Sequence, residues 1–310
     1  MILIKDKKEI PHKQFVATIG FFDGVHVGHR FLIEEMIYIS RKEGIPSAVI
    51  TFPIHPRAVL HSDYQPKLLN SLEEKLEHLA TTGIDYCIML DFTVELANLS
   101  AREFMIFVLH QDFQVHTLLI GYDHRFGHNR LDGFSQYRQY GKECGMEVRE
   151  ATVYDSGNTT VSSSEIRRQL SLCQVEEAAR LLTYPYHLKG HIVKGYKIGR
   201  TLGFPTANIA VDESYKVVPG TGVYAVWVEI DQKQYKGMLY IGKRPTLENG
   251  DHTTLEVNIF DFTGDIYNKQ ITVSFIYHVR GDIKFNSLEA LKHQLIIDRE
   301  AVIRLLTDKK

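Results

Sequence analysis

An apolar run that stops at a glycine and restarts as an amphipathic helix leaves few folds open to a chain. Residues 15–43 have that shape. Phe15 to Ile19 reads as a buried strand, Gly20 breaks it, and Gly24 and Gly28 follow at intervals of four. Leu32, Met36 and Ile39 then recur at helical spacing among Glu34, Glu35, Arg41 and Lys42. Strand, glycine loop and helix together aim free backbone N–H groups at an anion. Asp23, His26 and His29 stand at that junction. Glycines admit close approach of phosphate. Two imidazoles at the start of a helix can donate hydrogen bonds to a phosphate as charge builds there. The pattern suits attack at the α-phosphate of a nucleoside triphosphate, with pyrophosphate leaving. It fits neither GxGxxG nor GxxxxGK[ST] spacing. HxGH alone is short enough to arise by chance in a helix-cap loop. Its place between strand and helix, beside Asp23, is what favours the nucleotide reading.

The next segments keep alternating. Ser47 to Phe52 is a strand ending in TFPIHP, which puts His55 at its carboxyl end. Ser71 caps a helix with Glu74 three residues on and Gly83 as its stop. Tyr86 to Leu90 is a strand, Ser100 to Leu109 a helix with Glu103 behind its cap, and Val115 to Gly121 a further strand. Such alternation predicts a parallel sheet with helices on both faces, an α/β domain. Gly121 to Gly133 is a loop in which Arg125 could pair a phosphate and Asp123 could accept from a ribose or base; a polar surface loop fits the same composition. VSSSEIRRQL opens a helix with arginines in its first turns, against the macrodipole preference, which favours an anion role for Arg167 or Arg168.

The pattern changes near Tyr184. From there Val223 to Glu229 and Ile271 to Tyr277 alternate as short strands, and a hairpin turns at Asp231 to Lys233. A small antiparallel barrel is expected, followed by an amphipathic terminal helix from Ser287 to Leu306 with Leu288, Leu291, Leu295 and Ile296 on one face. Two domains follow, 1–184 and 185–310. In the second, GYKIGRTLGFPTAN carries Gly195, Gly199 and Gly203, and its PTAN offers the Thr206 hydroxyl and the Asn208 amide oxygen. Both are hard ligands suited to Mg²⁺ shared with phosphates. Glu256, in an alternating strand, could take a proton from an attacking alcohol, although a solvent-facing role is commoner for a single strand glutamate.

Net charge of −2, from 36 basic and 38 acidic residues, argues against general nucleic-acid affinity. No apolar run reaches membrane-spanning length. Cys87, Cys144 and Cys173 are odd in number and far apart, which speaks against a disulfide framework or zinc site. With an N-terminus too charged for a signal peptide, the expectation is a cytoplasmic protein. Oligomeric state is left open.

These motifs, in this order, resemble the bifunctional bacterial riboflavin kinase/FAD synthetase family over nearly the whole chain. GFFDGVHVGH is similar to its adenylyltransferase loop, TFPIHP to TFxPHP, GYDHRFGHNRLDG to GxDFRFGxxRxG and VSSSEIR to ISSTxIR. GYKIGRTLGFPTANI, VVPGTGVYAV and IGKRPT resemble its kinase segments. The resemblance implies a Rossmann-like N-terminal domain that joins AMP from ATP to FMN, giving FAD and pyrophosphate. It implies a C-terminal barrel that phosphorylates riboflavin from ATP. His26 and His29 would stabilise the α-phosphate and Glu256 would be the kinase base. Nucleotide would be held by Gly20, Phe22, Asp23, Gly24 and Gly28, then Asp123, Arg125, Ser162 and Arg167, and in the kinase by Gly195, Gly199 and Gly203. Thr206 and Asn208 would hold Mg²⁺. His124, Ile54 and Ser164 depart from the pattern in the first half; Tyr240, Asn258, Asn268 and Asp282 depart in the second. Two alternatives are a monofunctional FAD synthetase that keeps the fold with a degenerate kinase half, and, from another class, a flavin-binding regulator or membrane-associated accessory protein without catalysis. A third is another HxGH-type nucleotidyltransferase.

Overall fold

A computed structural model describes residues 1–11, 13–60, 63, 65–121, 124–128, 131–155, 157, 161–193, 203–246 and 250–307; the side chains of 243–246 and 250–252 lie outside that description. The chain divides into two compact units, Met1–Ser162 and Ser163–Lys310.

The first unit is a six-stranded parallel sheet in the order β1-β4-β3-β2-β5-β6. Its strands are β1 (Ile2–Ile4), β2 (Phe15–Ile19), β3 (Ser47–Thr51), β4 (Tyr86–Met89), β5 (Val115–Ile120) and β6 (Glu147–Glu150). Every residue of β2 and β3 is buried, as expected of strands covered on both faces. Phe15, Ala17 and Ile19 point into one apolar cluster and Val16 into the other. The helices are α1 (Val27–Glu43), α2 (Pro56–Leu60), α3 (Leu72–Ala80), α4 (Val94–Ala97), α5 (Ala101–Glu103) and α6 (Phe134–Cys144). Ile33, Met36 and Ile37 of α1 and Leu79 of α3 fill one side. Phe104, Met105, Val108 and Leu109 fill the other.

Both anticipated capping boxes form, Ser71 with Glu74 and Ser100 with Glu103. The helix after Ser100 differs from expectation. It passes at Phe104 into a π-helix running to Asp112, and Phe113 N–H bonds to Val108 O at 2.9 Å. FMIFVL is apolar all round, so no face is favoured by periodicity and the turn can widen to fit the core. β1 and β6, the two edge strands, have no counterpart in the sequence expectations.

In the second unit α7 (Ser163–Ser171) and α8 (Val175–Leu182) precede the strands. The strands are β7 (His187–Val193), β8 (Ala207–Val211), β9 (Gly222–Ile230), β10 (Lys233–Thr246), β11 (Gly250–Ile259) and β12 (Gln270–Arg280). They close as a barrel in the order β10-β11-β8-β7-β12-β9. The β9–β10 hairpin turns at Asp231 and Gln232, both at positive φ (49° and 63°), which matches the twist of its strands.

The terminal helix α9 (Leu288–Thr307) packs Leu295, Val302 and Leu306 against Val223, Ala225, Met238 and Phe260. Its inner face is rotated from the one expected: Leu288 and Ile296 are exposed, and Asp298 is buried. Asp298 accepts from Arg280 Nη2 at 2.7 Å and Gln294 Nε2 at 2.8 Å, so an ion pair with β12 sets the helix rotation that apolar spacing alone misjudged.

Candidate active sites

In the first unit β2 is flanked by β3 on one side and β5 on the other. Chain order reverses between β2 and β5, and ligands of open α/β sheets bind beyond the carboxyl ends of strands at such a point. The loops leaving those two strands are the two histidine-bearing stretches, Gly20–His26 and the one beginning at Gly121.

His26 is the N-cap of α1, and its Nδ1 accepts the His29 backbone N–H at 3.3 Å. The proton of the ring therefore sits on Nε2, which becomes a fixed donor. The His29 ring stacks on it, with centroids 3.6 Å apart and 16° between planes. Two imidazoliums at that spacing would repel. Burial, then His26, His124 and Lys75, hold His29 well below the usual histidine range. His29 Nδ1 is buried with no hydrogen-bond partner among the described residues. The site thus presents His29 as a neutral imidazole, stacked on His26 beside the first turn of a helix, a surface for developing negative charge.

The loop is held in a costly shape. Phe22 and Val25 adopt positive φ (55° and 36°) without being glycine, and Gly24 lies at 84°; such strain clusters at functional sites. A Cβ on Gly20 would come 3.1 Å from the Phe22 ring, and one on Gly28 3.4 Å from the His26 ring. Phe22 is buried with its edge on His29, 5.1 Å between centroids.

Asp23 does something the sequence did not indicate. Its Oδ1 accepts from Leu69 N–H at 2.9 Å and Asn70 N–H at 3.3 Å, so this oxygen turns into the protein and anchors the loop. Arg125 is exposed and donates to the Asp132 carbonyl at 3.0 Å. Asp123 lies outside the described residues. Ser162 ends the first unit, and Arg167 lies in the second, on α7, bonded to Ser164 Oγ at 3.0 Å. Arg168 is paired with Glu165 at 2.7 Å, an ordinary i,i+3 bridge that accounts for its place on the helix.

The barrel carries the second constellation. Asn208 on β8 and Tyr240 on β10 stand directly opposite Glu256 on β11, one on each side. Thr206 donates to Glu256 Oε2 at 3.4 Å. Thr206, just before β8, and Asn208 on it offer a hydroxyl and an amide oxygen, hard donors whose chemistry fits Mg²⁺ when phosphates complete the shell, beside the Glu256 carboxylate. Among the described residues no group of three or more His, Cys, Asp or Glu side chains is placed to hold a metal ion. Asn258 donates to the Pro205 carbonyl at 2.7 Å and so holds the PTAN segment. Tyr240 lies over Gly242, where a Cβ would meet its ring at 2.5 Å, and its hydroxyl bonds to Asp282 at 3.0 Å. Burial and that bond push the Tyr240 phenol up to about 12. Gly203 lies at φ 84°; Gly195 and Gly199 lie outside the described residues.

Comparison with known proteins agrees with both halves. The FAD synthetase family model matches residues 8–165 and the riboflavin kinase model residues 182–306. The bifunctional riboflavin kinase/FMN adenylyltransferase of Escherichia coli (strain K12) is 35% identical over 296 residues, covering 95% of this chain and 94% of the relative. This chain belongs to the bifunctional riboflavin kinase/FMN adenylyltransferase family. The Listeria monocytogenes member is 35% identical, over 92% of this chain and 90% of its own. A solved structure described as a macrolide-efflux protein from Streptococcus pneumoniae is 31% identical with a TM-score of 0.87, covering 98% of this chain and 99% of that one. Among the described residues of this family member no helix is long and apolar enough to cross a membrane.

Sequence reasoning located both constellations but missed Lys75 and the Tyr240–Asp282 bond. The first had a signal: a lysine at helical spacing from Leu79 on the apolar side of α3.

Proposed function

We propose that this chain makes FAD from riboflavin in two steps, one in each half, with residues 1–184 carrying adenylyl transfer and residues 185–310 the kinase. In the first step a γ-phosphate passes from ATP to the ribityl 5′-hydroxyl of riboflavin. In the second, a phosphate oxygen of FMN attacks the α-phosphorus of another ATP. The bond to the β-phosphate breaks and pyrophosphate leaves.

The observation that carries the second step is the His26–His29 pair. The Nε2–H of His26 is oriented by the bond its Nδ1 accepts. Both rings can meet a phosphate oxygen as its charge grows, and His29, held neutral by burial, need not lose a proton to do so. Gly20, Gly24 and Gly28 give the triphosphate room, and the backbones of Phe22 and Asp23 shape the loop. Arg125, Asp123, Ser162 and Arg167 are assigned to ATP by the family motifs they occupy.

For the kinase, Glu256 accepts the proton of the ribityl hydroxyl, and Thr206 and Asn208 are placed to hold the metal. Bound Mg²⁺ supplies neutralisation of phosphate charge. Gly195, Gly199 and Gly203 belong to the segment assigned to that ATP. The partners are small molecules, ATP, riboflavin and FMN. A cytoplasmic setting is supported by three free cysteines. The test is a product assay with riboflavin, ATP and Mg²⁺. Wild type yields FMN and FAD; the His29→Ala variant yields FMN and stops there. FAD accumulation by that variant at the wild-type rate would overturn the assignment.

A further inference from the structure

Lys75 is a buried cation that neither reaction uses. It is 3% exposed, on α3. Its Nζ donates to Phe52 O at 2.7 Å, Phe21 O at 3.2 Å and Thr51 Oγ1 at 3.3 Å. It also stands 4.2 Å from the centroid of the Phe21 ring, whose edge meets His55 at 4.6 Å. Phe21 lies on the loop that leads to His26. Phe52 opens the loop that carries His55. Those loops leave neighbouring strands, β2 and β3.

A third segment closes the circuit. Asp23 accepts from Leu69 and Asn70, and the next residue, Ser71, starts the capping box that fixes the first turn of α3. Lys75 sits one turn further on. The glycine loop is thus tied to α3 through Asp23, and α3 is tied back to the same loop through Lys75. An ammonium has three N–H donors, and here three oxygens receive them. Burying a charge is tolerated only when it is satisfied in this way.

We propose that Lys75 is a positioning residue for adenylyl transfer, holding the glycine loop with His26 and His29 in register against the loop that follows β3. The proposal rests on the reading of that loop as the FMN adenylyltransferase site. Burial lowers the Lys75 ammonium to about 8, opposed by Cys87 and Asp23; His29 feels its charge as well. As pH passes that value the amine loses one of its three donors, and the clamp loosens.

The experiment uses the full chain with Lys75→Met and Lys75→Arg. FAD formation from FMN is measured, with FMN formation from riboflavin in the same preparation as the internal gauge of folded protein. A misplaced donor commonly costs about 10²-fold. The methionine variant is expected to lose at least about tenfold in kcat for FAD, with FMN formation unchanged. Wild-type kcat for FAD is expected to fall from pH 8 to 9, and the arginine variant, charged throughout, to stay level. A methionine variant with wild-type kcat, or one that loses both activities in proportion to its unfolded fraction, would overturn the proposal. Wild type that forms FMN but no FAD would instead remove the adenylyltransferase reading beneath it.

Discussion

Replacing His29 with alanine tests the neutral-donor reading most directly. In the proposed role the substitution removes one donor to the reacting phosphate, a loss worth roughly 2.7–4 kcal/mol, or about 10²–10³ in kcat. It also removes a ring stacked on His26 and edged by Phe22, a partly buried contact worth about 1–2 kcal/mol of stability. The two effects separate if turnover is measured well below the melting temperature. The assay is FAD formation from FMN and ATP, with pyrophosphate release as the second readout. His29→Gln keeps an N–H near the Nε2 position and should recover part of the rate. The pH dependence carries the sharper test. His29 lies well below 6.5 in the folded protein because of burial. Between that depressed value and 6.5 the unfolded chain binds a proton that the folded chain does not, so stability falls as pH drops below 6.5 and is level above it. The His29→Ala variant should lose less stability on acidification than wild type. Turnover should be level from about pH 6.5 to 7.5, because the donor is already neutral. A wild-type rate that climbs tenfold per unit as pH falls through 6.5, and does so only when His29 is present, would show that imidazolium is the working form and refute this account.

Asn208→Ala should abolish FMN formation and leave FMN-to-FAD conversion intact, since Asn208 pairs with Glu256 across β8 and β11 in the barrel; phosphorylation of riboflavin at the wild-type rate would remove Asn208 from the metal site. Asp298→Ala leaves Arg280 half of a broken buried pair and should cost about 3 kcal/mol in denaturant unfolding of the barrel; a change under about 0.5 kcal/mol would mean the pair is solvated. A chain cut after residue 184 should form FAD from FMN, while amide protection is lost over Val175–Leu182, whose helix is bereft of the β12 strand it packs on; absence of FAD formation would put residues beyond 184 into that reaction.

The sequence was most legible where local chemistry decides the structure. Ser71–Glu74 and Ser100–Glu103 are reciprocal pairs that need no tertiary help, and both formed. β2 and β3 were readable because burial on both faces demands unbroken apolar runs. β1 was not, being three residues long at the sheet edge. The closing contacts of the barrel, β9 to β12 and β11 to β8, join strands distant in sequence and leave no local mark. The rotation of α9 escaped notice because a buried Asp298–Arg280 pair set it. At the candidate site, glycines and histidines announced themselves by spacing. The orientation of Asp23 did not, since a carboxylate beside a phosphate loop can face either ligand or backbone, and only the position of Leu69 and Asn70 settles which.

The four departures of the kinase half from its family pattern bear on whether that half is intact. Decay would leave unmatched polar groups and strained backbone. Here two of the departures answer each other: the Tyr240 hydroxyl and the Asp282 carboxylate are hydrogen-bonded, although 42 positions separate them in the chain. Gly242 leaves the space that the Tyr240 ring fills. Asn258 is buried, and its amide is used to hold Pro205, next to Thr206. Asn268 stands where the pattern has glycine, at φ 62°, a conformation asparagine tolerates better than other side chains. Each substitution therefore brings its partner or suits its backbone, and none removes Thr206, Asn208 or Glu256. A chain under no demand to phosphorylate riboflavin would have no reason to keep Asn208 in register with Glu256 and Thr206 bonded to it.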